Sequence, residues 1–130
     1  MKVRKFFSAI LSAVVLTATA SGLSSSQVSL TGFPGELNNN NTGSNTMYTD
    51  IGNVSNGTNM RLYYKADSTG GNSGGPVYIT ETRFDKTYYT VIGINVSGIS
   101  QNGVPLYNSA IRINTDLLHF YCNNPNLSWE

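Results

Sequence analysis

The stretch with the most chemical content is "STGGNSGGPVYI" at residues 68–79, where Gly70, Gly71, Gly74 and Gly75 surround Asn72 and a single hydroxyl, Ser73. A serine hydroxyl attacks a carbonyl only when a base takes its proton and donors stabilise the oxyanion that forms. The glycines address the second need. Without a Cβ they let successive backbone N–H groups turn toward one point and let a substrate carbonyl approach closely. The expected donors are the amides of Gly71 and Ser73, with Ser73 as the nucleophile. A plain glycine-rich hairpin turn is the competing reading of any isolated Gly-x-Ser-Gly, but the whole run from Gly70 to Val77 fits the nucleophile reading. A phosphate-binding loop is a weak reading, because no Gly-Lys-Ser/Thr follows the glycines and no strand leads through them into a helix.

The base is harder to find. His119 is the only histidine, and Asp116 lies three positions before it, on the same face of a helix. The order Ser73, Asp116, His119, together with Gly71-Asn72-Ser73-Gly74-Gly75, formally satisfies the nucleophile elbow of α/β-hydrolases. That elbow needs a helix beginning at the serine. Here Gly74-Gly75-Pro76 leads into "VYIT", a β-prone run, and the chain lacks alternating strands and helices, so that fold is excluded. An acid and a histidine at this spacing are common on helices and need no catalytic role.

The elements that must hold Ser73 are short β-prone runs separated by Gly/Asn punctuation, the pattern of an all-β sandwich or barrel. Strands are expected at 27–33, 46–51, 60–66, 76–80, 88–97 and 107–113. Residues 24–26 form a polar spacer and 38–45 a polar loop tip, while Asp85-Lys86 and Gln101-Asn102-Gly103 are read as hairpin turns. Tyr63-Tyr64 and Tyr88-Tyr89 are β-formers whose alternate members should face the core. One helix is expected at the end, capped by Asn114, with Asp116 in its first turn and Leu117, Leu118 and Tyr121 on its apolar face.

The chain has 130 residues and opens with Lys2, Arg4 and Lys5, an apolar run from Phe6 to Leu16, and Ala18-Thr19-Ala20. This is the order of a secretory signal peptide over 1–20, so 21–130 is read as the exported, secreted part. Without the leader, five basic residues face seven acidic ones. Arg61, Lys65, Arg83, Lys86 and Arg112 are scattered, so nucleic acid is excluded as a partner, and no membrane anchor is expected once the leader is removed. The length permits one modest core. Cys122 is the only cysteine, which rules out an intramolecular disulfide. It is read as a small near-terminal hydrophobe, with a free thiol or an intermolecular link left open. Asn-x-Ser/Thr sequons occur at Asn40, Asn53, Asn56, Asn95 and Asn126.

"TGGNSGGPV" resembles the nucleophile segment of chymotrypsin-fold (trypsin-like) serine proteases, and Asn72, where trypsins carry an acid, resembles the bacterial glutamyl endopeptidase branch. The likeness continues in chain order. "SLTGFPGE" (29–36) resembles the strand that opens the second barrel of those enzymes, "VIGINVSG" (91–98) the strand lining their specificity pocket, and "YNSAIRINTDLLHF" (107–120) their last strand and terminal helix. The resemblance implies a six-stranded antiparallel β-barrel with one C-terminal α-helix, the C-terminal lobe of such a protease. It implies Ser73 and Gly71 as catalytic residues and Asp67, Ser68, Asn95, Val96, Ser97 and Gly98 as a substrate-binding set for a polypeptide, with no metal and no cofactor. Asp67, six residues before the serine, falls where trypsins hold basic side chains; satisfying loop amides is an equally open role for it.

Two departures shape the expected function. The family's catalytic histidine and aspartate lie in a first barrel that precedes this segment, whereas here the leader runs directly into the second. The terminal helix packs away from the cleft in the family, which leaves His119 an ordinary helix residue. Glutamyl-specific members carry histidine where this chain has Asn95, and a neutral amide offers no cation to a glutamate side chain. Losing the histidine alone slows a serine protease roughly a million-fold and leaves about 10³–10⁴ over water. The expectation is therefore a serine endopeptidase lobe, inactive alone, whose partner is a missing first lobe. The alternative is a secreted β-barrel binding module that kept the fold and lost the chemistry.

Overall fold

The computed structural model of the protein describes residues 23, 25–35 and 46–124. The segments expected to be a leader (1–20) and a polar loop tip (38–45), the sequons at Asn40 and Asn126 and the side chain of Tyr121 lie outside the described residues. Six strands are present among the described residues: β1 (Gln27–Gly32), β2 (Tyr48–Gly57), β3 (Arg61–Lys65), β4 (Pro76–Arg83), β5 (Lys86–Gln101) and β6 (Val104–Arg112). All pair antiparallel in one sheet, in the order β1-β2-β3-β6-β5-β4. The sheet closes on itself where β1 also pairs with β4, through Ser29–Tyr78 and Leu30–Val77. A short helix, α1 (Thr115–Asn123), follows β6.

Alternation along the strands sends one set of side chains inward. Val28, Leu30, Val54, Leu62, Tyr64, Val77, Ile92 and Ala110 form the buried cluster, joined by Leu23. β2 runs well past the expected end at Ile51. Its second half, "GNVSNG", reads as a loop by composition, yet Val54 alone supplies an inward contact and the backbone pairs with β3 from Asn53–Lys65 to Gly57–Leu62. A bulge between Val54 and Asn56 absorbs one residue. The β2–β3 turn is held by Thr58, whose Oγ1 accepts from the amides of Met60 and Arg61.

The β4–β5 and β5–β6 hairpins project beyond the closed part. β1 meets β4 only at two residue pairs, and β6 meets β3 only from Asn108 to Ile111. This corrects the expectation for Tyr88-Tyr89: both are exposed, because that arm has no facing strand, and Tyr89 instead sets its ring edge-on to Tyr78 at 5.9 Å. Tyr63-Tyr64 does split as expected, with Tyr64 in the core and Tyr63 half-buried, edge-on to Tyr107. The β4–β5 turn falls on Phe84-Asp85, one residue earlier than expected, since Arg83 pairs with Lys86. Phe84 and Asp85 both take positive φ (50° and 58°), the geometry of a two-residue primed turn. At the other tip Asn102-Gly103 does the same (φ 51° and 77°) between Gln101 and Val104, as its sequence requires.

α1 starts as the sequence indicates. The side chain of Asn114 accepts from the Leu117 amide at 2.8 Å, and Asp116 occupies the electropositive first turn. Asn114 Nδ2 also donates to the Asn59 carbonyl, tying the helix start to the β2–β3 turn. Cys122, read as a small near-terminal hydrophobe with a free thiol left open, is a free thiol and exposed. Among the described residues no helix is long and apolar enough to cross a membrane.

Candidate active site

Ser73 sits in the loop at 66–75 that joins β3 to β4, and it is exposed. Its Oγ donates to the Val96 carbonyl at 3.3 Å. Val96 is available for this because β5 bulges between Asn95 and Ser97, leaving Val96 out of the β5–β6 ladder. After Ser73 the chain passes through Gly74 and Gly75 straight into β4, so the serine is not carried on a helix.

The loop's amides divide into two kinds. Asn72 N donates to the Thr69 carbonyl (3.2 Å), Gly74 N to the Asn95 carbonyl (2.8 Å) and Gly75 N to the Asn72 carbonyl (3.1 Å). The amides of Gly71 and Ser73 have no acceptor among the described residues. Their direction follows from the planar trans peptide, in which C=O and N–H point opposite ways. The Gly70 carbonyl, across the peptide from Gly71 N–H, accepts from Gly35 N at 2.6 Å. The Asn72 carbonyl, across from Ser73 N–H, accepts from Gly75 N and from Asn95 Nδ2, each at 3.1 Å. Each free amide therefore faces away from a carbonyl that the fold holds in place.

Glycine is required at two of these positions. Gly71 has φ 101°, and a Cβ there would lie 2.3 Å from the Phe33 carbonyl oxygen. At Gly75 a Cβ would lie 2.4 Å from the Thr31 carbonyl oxygen. The loop is thus seated directly on the end of β1. Asn72 is buried against Gly32, and its Oδ1, like Thr69 Oγ1, has no hydrogen-bond partner among the described residues.

Of the residues expected to bind substrate, Ser68, Asn95 and Val96 are joined to one another or to the Ser73 loop, in different roles. Val96, Ser97 and Gly98 are exposed along β5 beside Ser73, and Ser68 is half-buried. Asn95 lies beneath the loop, 2% exposed, with its carboxamide fully engaged: Oδ1 accepts from Tyr64 OH at 2.7 Å, and Nδ2 donates to Ser68 Oγ at 3.3 Å and to the Asn72 carbonyl. Its backbone adds two more bonds to the loop, so Asn95 is a brace. This burial also removes Asn95 as a glycosylation acceptor, whereas Asn53 and Asn56 are exposed. Asp67 is exposed, and the carboxylate serving the loop amides belongs to Asp50, whose Oδ2 accepts from Asp67 N. Sequence reasoning missed Asp50, Tyr64 and the buried role of Asn72. No local pattern marks them, because each acts through a partner distant in the chain.

His119 is exposed on α1. Among the described residues, neither its imidazole nor any carboxylate hydrogen-bonds Ser73 Oγ, whose bond goes to Val96.

Burial pushes the Tyr64 phenol well above its ordinary pKa of 10.0, so at neutral pH it is a neutral donor to Asn95. A folded pKa raised above the unfolded one means stability is fully present below about pH 10 and is lost as pH rises beyond it. Between about pH 10 and about pH 11 the unaltered chain should lose about 1 kcal/mol more stability than Tyr64→Phe does. Urea unfolding at the two pH values measures this; equal losses in both proteins would contradict it.

No protein-family model matches the chain, and no curated protein matches it either.

Proposed function

We propose that this chain is the C-terminal barrel of an exported chymotrypsin-fold serine endopeptidase of the glutamyl endopeptidase kind, carrying the nucleophile and oxyanion donors but not the base. Ser73 attacks the peptide carbonyl, and the amides of Gly71 and Ser73 receive the oxyanion. A polypeptide substrate lies along Val96–Gly98, with Asp67 and Ser68 at its side-chain subsite. The histidine and aspartate come from a first lobe outside these 130 residues. One observation carries this reading: in the run 71–75 only the amides at 71 and 73 lack acceptors among the described residues, each set opposite a pinned carbonyl and flanking an exposed hydroxyl.

A second reading, a secreted binding module with the same fold, draws on the outer face beside the loop. There Thr31 Oγ1 bonds Thr49 Oγ1 (2.6 Å) and Tyr78 OH (3.1 Å), a polar cluster satisfied without any partner lobe. Imidazole in solution can stand in for the missing base and separate the two. Treated with a fluorophosphonate, the protease lobe should be tagged at Ser73 alone, at a rate rising with imidazole concentration, and Ser73→Ala should not be tagged. A folded chain whose Ser73 never reacts favours the binding module. Tagging spread over all exposed serines would remove the protease reading.

A further inference from the structure

Tyr64 is a buried ionisable group that the chemistry above does not use, and its hydroxyl makes a single hydrogen bond among the described residues, to Asn95 Oδ1. We propose that Tyr64 is a positioning residue for the oxyanion donor at Ser73, acting through Asn95. This rests on the protease reading and goes beyond it by assigning the device that aims one of the two donors.

The relay has a fixed polarity. The Tyr64 ring is held in the core on β3, 0% exposed, and its O–H donates to Asn95 Oδ1. With Oδ1 so occupied, Nδ2 must point the other way, where it donates to Ser68 Oγ and to the Asn72 carbonyl. That carbonyl shares a peptide plane with Ser73 N–H, so holding it inward turns the amide outward. Take away the phenol oxygen and Asn95 Oδ1 becomes a buried acceptor with no donor, a state that favours rotation of the carboxamide. The 72–73 peptide is then held only by Gly75 N. The Gly71 amide does not depend on this chain, since its peptide is held by Gly35 N on the far side of the loop.

The two donors therefore have separate supports, and the experiment reads them separately. Inorganic phosphate is titrated into the ¹⁵N-labelled chain and into Tyr64→Phe, and the amide resonances of Gly71 and Ser73 are followed by NMR. In the unaltered chain both should shift. In Tyr64→Phe the apparent phosphate affinity read at Ser73 should fall about tenfold, the size expected for misaligning a hydrogen bond to a charged group, while Gly71 keeps its response to phosphate in direction and amplitude. Equal retention at both amides, or equal loss at both as a merely structural role would give, overturns the proposal while leaving the protease reading standing. No shift at either amide in the unaltered chain removes the oxyanion reading itself, and this proposal with it. Should Tyr64→Phe not fold, the unaltered chain still decides. A through-hydrogen-bond coupling between Asn95 Nδ2 and the Asn72 carbonyl carbon, with a slowly exchanging Tyr64 hydroxyl proton, is expected, and absence of both overturns the assignment.

Discussion

Given a peptide substrate, the chain alone is expected to hydrolyse it roughly a million-fold more slowly than a serine protease with its histidine in place, and Ser73→Ala should leave that residual rate unchanged. The reason lies in the hydroxyl's partner. Ser73 Oγ donates its hydrogen bond to the Val96 carbonyl, which is no base, and the single imidazole of the chain is exposed on α1 without a bond to it. A serine without a base is a poor nucleophile, so under the proposed function the amides of Gly71 and Ser73 would act only on the little flux that remains. Members of a catalytic set are strongly non-additive, and once the base is missing, deleting the nucleophile removes nothing further. Product formation followed by mass spectrometry checks both statements. Turnover that is rapid and abolished by Ser73→Ala would mean that a base reaches Ser73 after all.

The largest effect on stability is expected at Gly52. A Cβ placed there would lie only 1.2 Å from the Lys65 carbonyl oxygen, with the Lys65 carbonyl carbon at 2.1 Å and the Ala66 nitrogen at 2.8 Å. None of these is a side chain that can swing aside; all are backbone. Gly52→Ala must therefore force β2 away from the end of β3, at about 3 kcal/mol or more, out of a total stability of about 5–15 kcal/mol. The displaced segment leads into Asp67, whose amide is held by Asp50, so the loop carrying Ser73 should loosen as well. Gly74→Ala is the contrast. Its φ is 83° but none of the described residues lies within 4 Å of the added Cβ, so only backbone strain of about 1–2 kcal/mol is expected. Urea midpoints of the two variants measure the difference. Equal destabilisation would show that β2 and β3 do not approach as described.

Much of this architecture can be read from local pattern. β4 begins at Pro76 as its composition requires, α1 begins at the Asn114 cap, and Asn102-Gly103 announces its turn. Other features escape for physical reasons. The polar half of β2 is a strand only because β3 pairs with it, and its one buried side chain, Val54, is too sparse a signal. Phe84 in a left-handed turn runs against its own preference and is set there by the β4–β5 register. At the candidate site the glycines around Ser73 are visible in the sequence, but their orientation is not. It depends on Tyr64 and Asn95, 31 residues apart, and on Gly35 meeting Gly70 across the sheet end.

Amide hydrogen exchange across residues 71–75 tests the central claim most directly. That claim is that two alternating N–H groups are held outward around Ser73. The amides of Asn72, Gly74 and Gly75 should be protected and those of Gly71 and Ser73 should exchange close to the free-chain rate. Protection at Gly71 and Ser73, or uniformly fast exchange through all five as in an ordinary mobile turn, would contradict it.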